Sequence, residues 1–159
     1  MKIAIIYHSE SGHTRHVAQH LSAACDGHLI EVSDRASYAR LTRFLLWCKK
    51  ARSEEKTEIE PAVIDISAYD ILIFGSPVWA FKPTPVIHAA IDALKGASGK
   101  PVFAFSTHGG RPGQTEETFK RWIESRGMKL VGATMIHQKD IENEKITRDI
   151  LSLVTSINL

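Results

Sequence analysis

An alternation constrains this chain more than any other feature: short apolar, β-branched runs are separated by longer segments of helical period, five times over. The strand candidates are Lys2–Tyr7, His28–Val32, Asp70–Gly75, Pro101–Ser106 and Lys129–His137. The central ones are continuously apolar, as parallel strands covered on both faces must be. Between them Val17, Leu21 and Ala24 recur at helical spacing, as do Leu41, Leu45 and Cys48. Val86, Ala90 and Leu94 follow, then Phe119, Trp122 and Ile123, then Ile146, Ile150, Leu153 and Val154. This alternation predicts an α/β fold, a doubly wound five-stranded parallel sheet of order 2-1-3-4-5 with helices on both faces. At 159 residues, with no repeat, low-complexity tract or linker, residues 1–159 read as a single domain.

Sheets of this kind bind ligands beyond the carboxyl ends of their strands, so the loops after the strands carry the functional information. The first is Ser9-Glu10-Ser11-Gly12-His13-Thr14. Hydroxyls at 9, 11 and 14 and a glycine lead straight into a helix, whose first N–H groups are unpaired and partly positive, so an anion fits. Ser and Thr also favour helix N-caps, and the loop alone leaves both readings open. The loop after the third strand, Gly75 to Pro83, presents Pro77, Val78, Trp79, Ala80 and Phe81. Its aromatics can stack on a planar ligand or pack onto the next helix. The fourth loop, Ser106-Thr107-His108-Gly109-Gly110-Arg111-Pro112-Gly113, suits a backbone closing over a flat ring, or a plain turn. In the 2-1-3-4-5 order all three converge on one crevice, which favours the ligand reading for each.

Other phosphate sites do not fit. There is no GxxxxGK[ST] and no GxGxxG after the first strand. A cysteine phosphatase needs an arginine six residues past the nucleophile, where this chain has Glu31 after Cys25 and Glu54 after Cys48. A receiver needs an aspartate at the end of the third strand, where Gly75 and Ser76 stand.

The three loops together resemble those of the flavodoxin family, and the similarity extends over the whole chain. Residues 9–14 match the family's [ST]-x-[ST]-G-x-T phosphate loop, and Ser106–Gly110 match its second flavin loop. Asp65–Asp70 ahead of Ile71–Pro77 is similar to flavodoxin-domain oxidoreductases. The resemblance implies an FMN-binding redox protein. It implies that Ser9, Ser11, Thr14 and the backbone from Glu10 to His13 hold phosphate. Pro77, Val78, Trp79, Ala80 and Phe81 then cover one flavin face, and Thr107, His108, Gly109 and Gly110 bond its edge. No side chain is expected as an obligatory acid, base or nucleophile.

The chain departs from electron-carrier flavodoxins in charge: they are strongly acidic, whereas this net charge is +2. His108 and Arg111 occupy the third of these loops in place of a second stacking tyrosine. A cation at the flavin N1–O2 edge would raise the potential and favour two-electron chemistry, such as NAD(P)H-linked reduction of a quinone-like acceptor. A second oddity is the segment from Arg35 to Arg52, which holds Arg35, Arg40, Arg43, Lys49, Lys50 and Arg52 and no acidic residue. It reads as a helix with a solvated basic face; docking onto an acidic redox partner or a membrane surface is the alternative, and would suit a non-enzymatic binding module on the same scaffold. Ser53–Pro61 is charged and reads as an exposed connection.

The net charge of +2 is too mild to argue by itself for nucleic acid as a partner, and none is expected. The expected partners are a redox protein, or NAD(P)H and a small acceptor, with the chain a monomer or dimer. Cys25 and Cys48 lack metal or redox spacing and fit a reducing cytoplasm, with no signal peptide or membrane span. His8, His13 and His16 cluster around the first loop, but their spacing does not make a metal set, and no metal is expected.

Overall fold

The computed structural model describes residues 1–35, 48–54 and 56–156. In chain order the elements are β1 (Ile3–Tyr7), α1 (His13–Cys25), β2 (His28–Glu31), β3 (Ser33–Asp34) and helical residues 48–53 (α2). There follow β4 (Ile59–Glu60), β5 (Ile64–Asp65), β6 (Ile71–Trp79), β7 (Lys82–Pro83), α3 (Pro85–Asp92) and β8 (Leu94–Lys95). The remainder is β9 (Pro101–His108), α4 (Thr115–Ser125), β10 (Lys129–His137), a 3₁₀ turn (Gln138–Asp140) and α5 (Glu144–Thr155).

The five long strands pair in parallel in the order β2-β1-β6-β9-β10, which is the expected 2-1-3-4-5. Successive residues point to opposite faces of a strand, and two apolar clusters follow from that. Ile5, Ile73, Phe103 and Phe105 meet Val17, Ala18 and Leu21 of α1 and Ile150 and Val154 of α5. Ala4, Ile6, Leu72, Phe74 and Ala104 meet Val86, Ala90 and Ile91 of α3 and Phe119, Trp122 and Ile123 of α4. Helices therefore cover both faces, as a sheet with no solvated side requires.

Several expectations shift in detail. Ala24 is exposed and Ala18 takes its place against the sheet. Leu94 is buried but lies past α3, in β8. Leu153 is 49% exposed, so Ile150 and Val154 alone anchor α5 among its fully buried residues. Leu41, Leu45 and the segment 36–47 lie outside the described residues. The 53–61 stretch is more than a connection: Glu54 is half-buried, Ile59 is buried, and β4 pairs antiparallel with β3.

The largest difference is at β6, expected to end at Gly75 and found to run to Trp79. Its neighbour β1 stops opposite Gly75, while β9 stays paired as far as Pro77 opposite Thr107. Pro77 thus falls where one side of the strand has already lost its partner, so its missing N–H costs no ladder bond there. Val78 and Trp79 then pair antiparallel with Pro83 and Lys82, closing a two-residue turn on Ala80 and Phe81.

Candidate functional site

The carboxyl edge of the sheet is built first by the end of β1. His8 is buried, donates from its backbone N–H to the Gly75 carbonyl at 3.1 Å, and from Nδ1 to the Val32 carbonyl at 2.8 Å. Burial lowers its pKa and keeps the ring neutral, with the Val32 bond opposing. This fixes where the following loop leaves the sheet. Gly12 then adopts φ 92, a left-handed conformation that suits glycine, and a Cβ there would meet nothing within 4 Å. Its N–H donates to Ser9 Oγ at 3.2 Å, and the first helical bond runs from His16 N–H to the Gly12 carbonyl at 2.9 Å.

The N–H groups of His13, Thr14 and Arg15 consequently have no protein acceptor among the described residues. Neither a capping side chain nor an acidic residue occupies that first turn. An open, uncapped helix start lined by the Ser11 hydroxyl has the chemistry of a phosphate site. Ser11 Oγ shares a hydrogen bond with His13 Nδ1 at 3.2 Å. Glu10 is exposed, its carboxylate 3.8 Å from His8 Nε2.

Four loops meet in a cleft of about 120 Å³. Ser11 and His13 line it from the first loop, Pro77, Val78 and Trp79 from the end of β6, and Thr107, His108 and Gly109 from the end of β9. Gln138, just after β10, completes it. Below the cleft Thr14 Oγ1 and Thr107 Oγ1 are 2.8 Å apart, both residues buried, and this bond ties the start of α1 to the end of β9. His108 Nδ1 donates to the Gly110 carbonyl at 2.8 Å, and its ring meets that of His137 edge-on at 5.3 Å. A larger groove of about 590 Å³ along α4 shares no described lining residue with this cleft.

The sequence-derived residues therefore divide. Ser9 and Gly12 shape the first loop from behind, Thr14 is engaged with Thr107, and Gly110 accepts from His108. Trp79 does two things at once, lining the cleft and packing against the α3–α4 core. Ala80 and Phe81 do not line the cleft; they form the turn beside it, and Phe81 is 56% exposed. Arg111 is exposed and outside the lining, whereas His108 is within it. Gln138 was not anticipated. Its one signal was position, since every loop after a parallel strand opens on the same edge, and its amide packs over Gly109 where a Cβ would come within 3.1 Å.

A family model described as NADPH-dependent FMN reductase matches residues 1–139. The chain belongs to this family. It is an FMN-binding protein with a flavin-dependent redox function that uses NAD(P)H. The alternative of a scaffold without flavin chemistry gives way to that. No curated protein matches the chain. Among solved structures, a flavoprotein in complex with FMN from Lactobacillus acidophilus is 24% identical at a TM-score of 0.70, over 91% of this chain and 97% of its own. A candidate flavoprotein from Bacteroides eggerthii is 23% identical at 0.77, covering 98% and 99%. The two-electron reduced flavodoxin of Megasphaera elsdenii is 16% identical at 0.64, again covering 98% and 99%. At these identities the likeness establishes the flavodoxin-like fold of this FMN reductase family member. No helix among its described residues is long and apolar enough to cross a membrane.

Proposed function

We propose that the cleft holds FMN with its phosphate at the start of α1 and its ring edge between Trp79 and the His108–Gly109 loop, and that the protein reduces a small quinone-like acceptor with NAD(P)H. One observation carries the reading. The uncapped N–H groups of His13 to Arg15 open beside the same cleft that Trp79, Thr107, Gly109 and Gln138 line. Ser11 and those N–H groups supply donors for a dianionic phosphate, a set of charge-assisted bonds. Gly109 allows close backbone approach to a flat ring, and Gln138 offers one donor and one acceptor to its polar edge. His108, anchored through Nδ1 to the Gly110 carbonyl, lines the cleft. When bound, FMN supplies the electron transfer; the chain's own residues bind, orient and tune it.

The charge balance supports a reductase over a pure carrier, because a net charge of +2 lacks the acidic field a carrier uses to steer basic partners. We further propose one domain over residues 1–159 in the cytoplasm, in keeping with the two free, half-buried cysteines. Steady-state NADPH oxidation with a soluble quinone and no added reductase tests the activity. Turnover is expected; bound flavin that only a separate reductase protein can reduce would make the protein a carrier.

A further inference from the structure

Glu54 is the most heavily bonded carboxylate among the described residues, and its ties lead back to the cleft. Arg121 grips it with two parallel bonds of 2.8 Å, Lys82 Nζ donates at 2.7 Å and Trp122 Nε1 at 3.1 Å. Its backbone carbonyl accepts from His88 Nδ1 at 3.1 Å, and the His88 ring stacks on Trp122 at 4.0 Å, 1° from parallel. Lys82 Nζ also donates to the Arg52 carbonyl at 3.2 Å. The residue itself sits at φ 57, so a strained backbone is held here by its contacts. Lys82 of β7 and Arg121 and Trp122 of α4 thus meet at the Glu54 carboxylate, while α3 is tied to its backbone carbonyl through His88 and α2 to Lys82 through the Arg52 carbonyl. The Arg121 bond above all holds its pKa down to about 2; burial, next in size, opposes it, and the bonds from Lys82 and Trp122 add to the lowering.

What makes the cluster more than a staple is Lys82. It is the cross-strand partner of Trp79 and directly follows Ala80 and Phe81, two non-glycine residues at φ 48 and 67. Such a turn is costly for residues with side chains and persists only where its surroundings fix it. On one side Gln114 N–H donates to the Phe81 carbonyl at 2.9 Å. On the other, the Lys82 ammonium, 17% exposed, is locked on Glu54, 21% exposed. An ion pair this sheltered fixes geometry more firmly than an exposed one.

We propose that Glu54 is a positioning residue for the cofactor, acting through Lys82 to set where Val78 and Trp79 stand in the cleft. The inference rests on the proposed FMN reading of that cleft. Loss of the clamp lets the strained turn relax, Trp79 leaves its place against the ring, and FMN binds more weakly with an altered environment.

The test measures FMN affinity of the apo-protein by fluorescence quenching, the visible circular dichroism of bound flavin, and the thermal midpoint, for Glu54→Gln, Lys82→Met, Trp79→Ala and Val154→Ala. Val154, a buried residue of α5, packs on the opposite face of the sheet and serves as a stability control. Glu54→Gln and Lys82→Met are expected to weaken FMN about tenfold or more, a difference of about 1.4 kcal/mol, and to change the dichroism of what binds. Val154→Ala is expected to lower the midpoint with FMN affinity and dichroism unchanged. Glu54→Asp should recover part of the affinity. If Glu54→Gln does not fold, Lys82→Met carries the test alone. Unchanged FMN affinity and dichroism in Lys82→Met, with Trp79→Ala impaired, overturns the positioning role and leaves the site reading standing. An unimpaired Trp79→Ala overturns the site reading and the inference with it.

Discussion

Replacing Thr107 by valine keeps the shape of the side chain and removes one hydroxyl from a buried pair. Thr14 and Thr107 are 1% and 3% exposed, and their hydroxyl oxygens lie 2.8 Å apart. In Thr107→Val the Thr14 hydroxyl stays buried with its partner gone, a penalty of about 1–3 kcal/mol. Thr14→Val produces the mirror-image defect at about the same cost. In a chain of this length a loss of about 2 kcal/mol lowers Tm by about 4–8 °C. The double variant replaces both partners by apolar groups of the same shape, which is close to neutral, within about 1 kcal/mol of the parent. Equilibrium urea unfolding of the apo-protein and its four-member mutant cycle give the coupling directly. A double variant whose loss equals the sum of the two single losses would refute the reasoning, because it would mean that the two hydroxyls do not satisfy one another.

Three further outcomes follow from the same geometry. Gly75→Ala would place a Cβ 2.3 Å from Phe105 Cζ in the middle of the sheet, so it should cost about 1–3 kcal/mol, and Phe105→Leu in the same chain should return part of that in a thermal melt. Glu54 is ionised in the fold down to about 2, against an ordinary value of 4.5. Its contribution is therefore complete above pH 4.5 and is lost as pH falls from there toward 2, and Glu54→Gln should flatten the stability profile across that window in acid titrations followed by far-ultraviolet dichroism. Gly12→Ala forces a side chain into φ 92 with open space around it; about 1 kcal/mol of stability should go, together with part of the FMN affinity, as read by denaturation and flavin titration.

How much of this was legible in the sequence depends on whether a residue's role is set by pattern or by tertiary partners. The strand order was legible because the apolar runs Ile3–Tyr7 and Ile71–Phe74 are buried on both faces and admit few other topologies. The first loop was legible because hydroxyls, a glycine and a helix start are all local features. Beyond Phe74 local pattern failed: Pro77 reads as a strand breaker, yet the strand continues because β1 has already ended and β9 has not. Trp79 could not be assigned to ligand or core because it serves both. Glu54 read as part of an exposed charged stretch, since nothing local announces that Lys82, Arg121 and Trp122, 28 to 68 residues away, converge on it. Gln138 was invisible for a related reason, as a lone glutamine gains meaning only from Gly109 across the cleft.

The central claim is that the start of α1 receives the phosphate of FMN, and comparing FMN with riboflavin on the apo-protein tests it most directly. The two ligands share the ring and differ in the phosphate. A helix terminus and charge-assisted bonds together supply about 3 kcal/mol, so titration followed by flavin fluorescence should show FMN bound about a hundredfold more tightly than riboflavin. Equal affinity for both, or no uptake of either, would contradict the account.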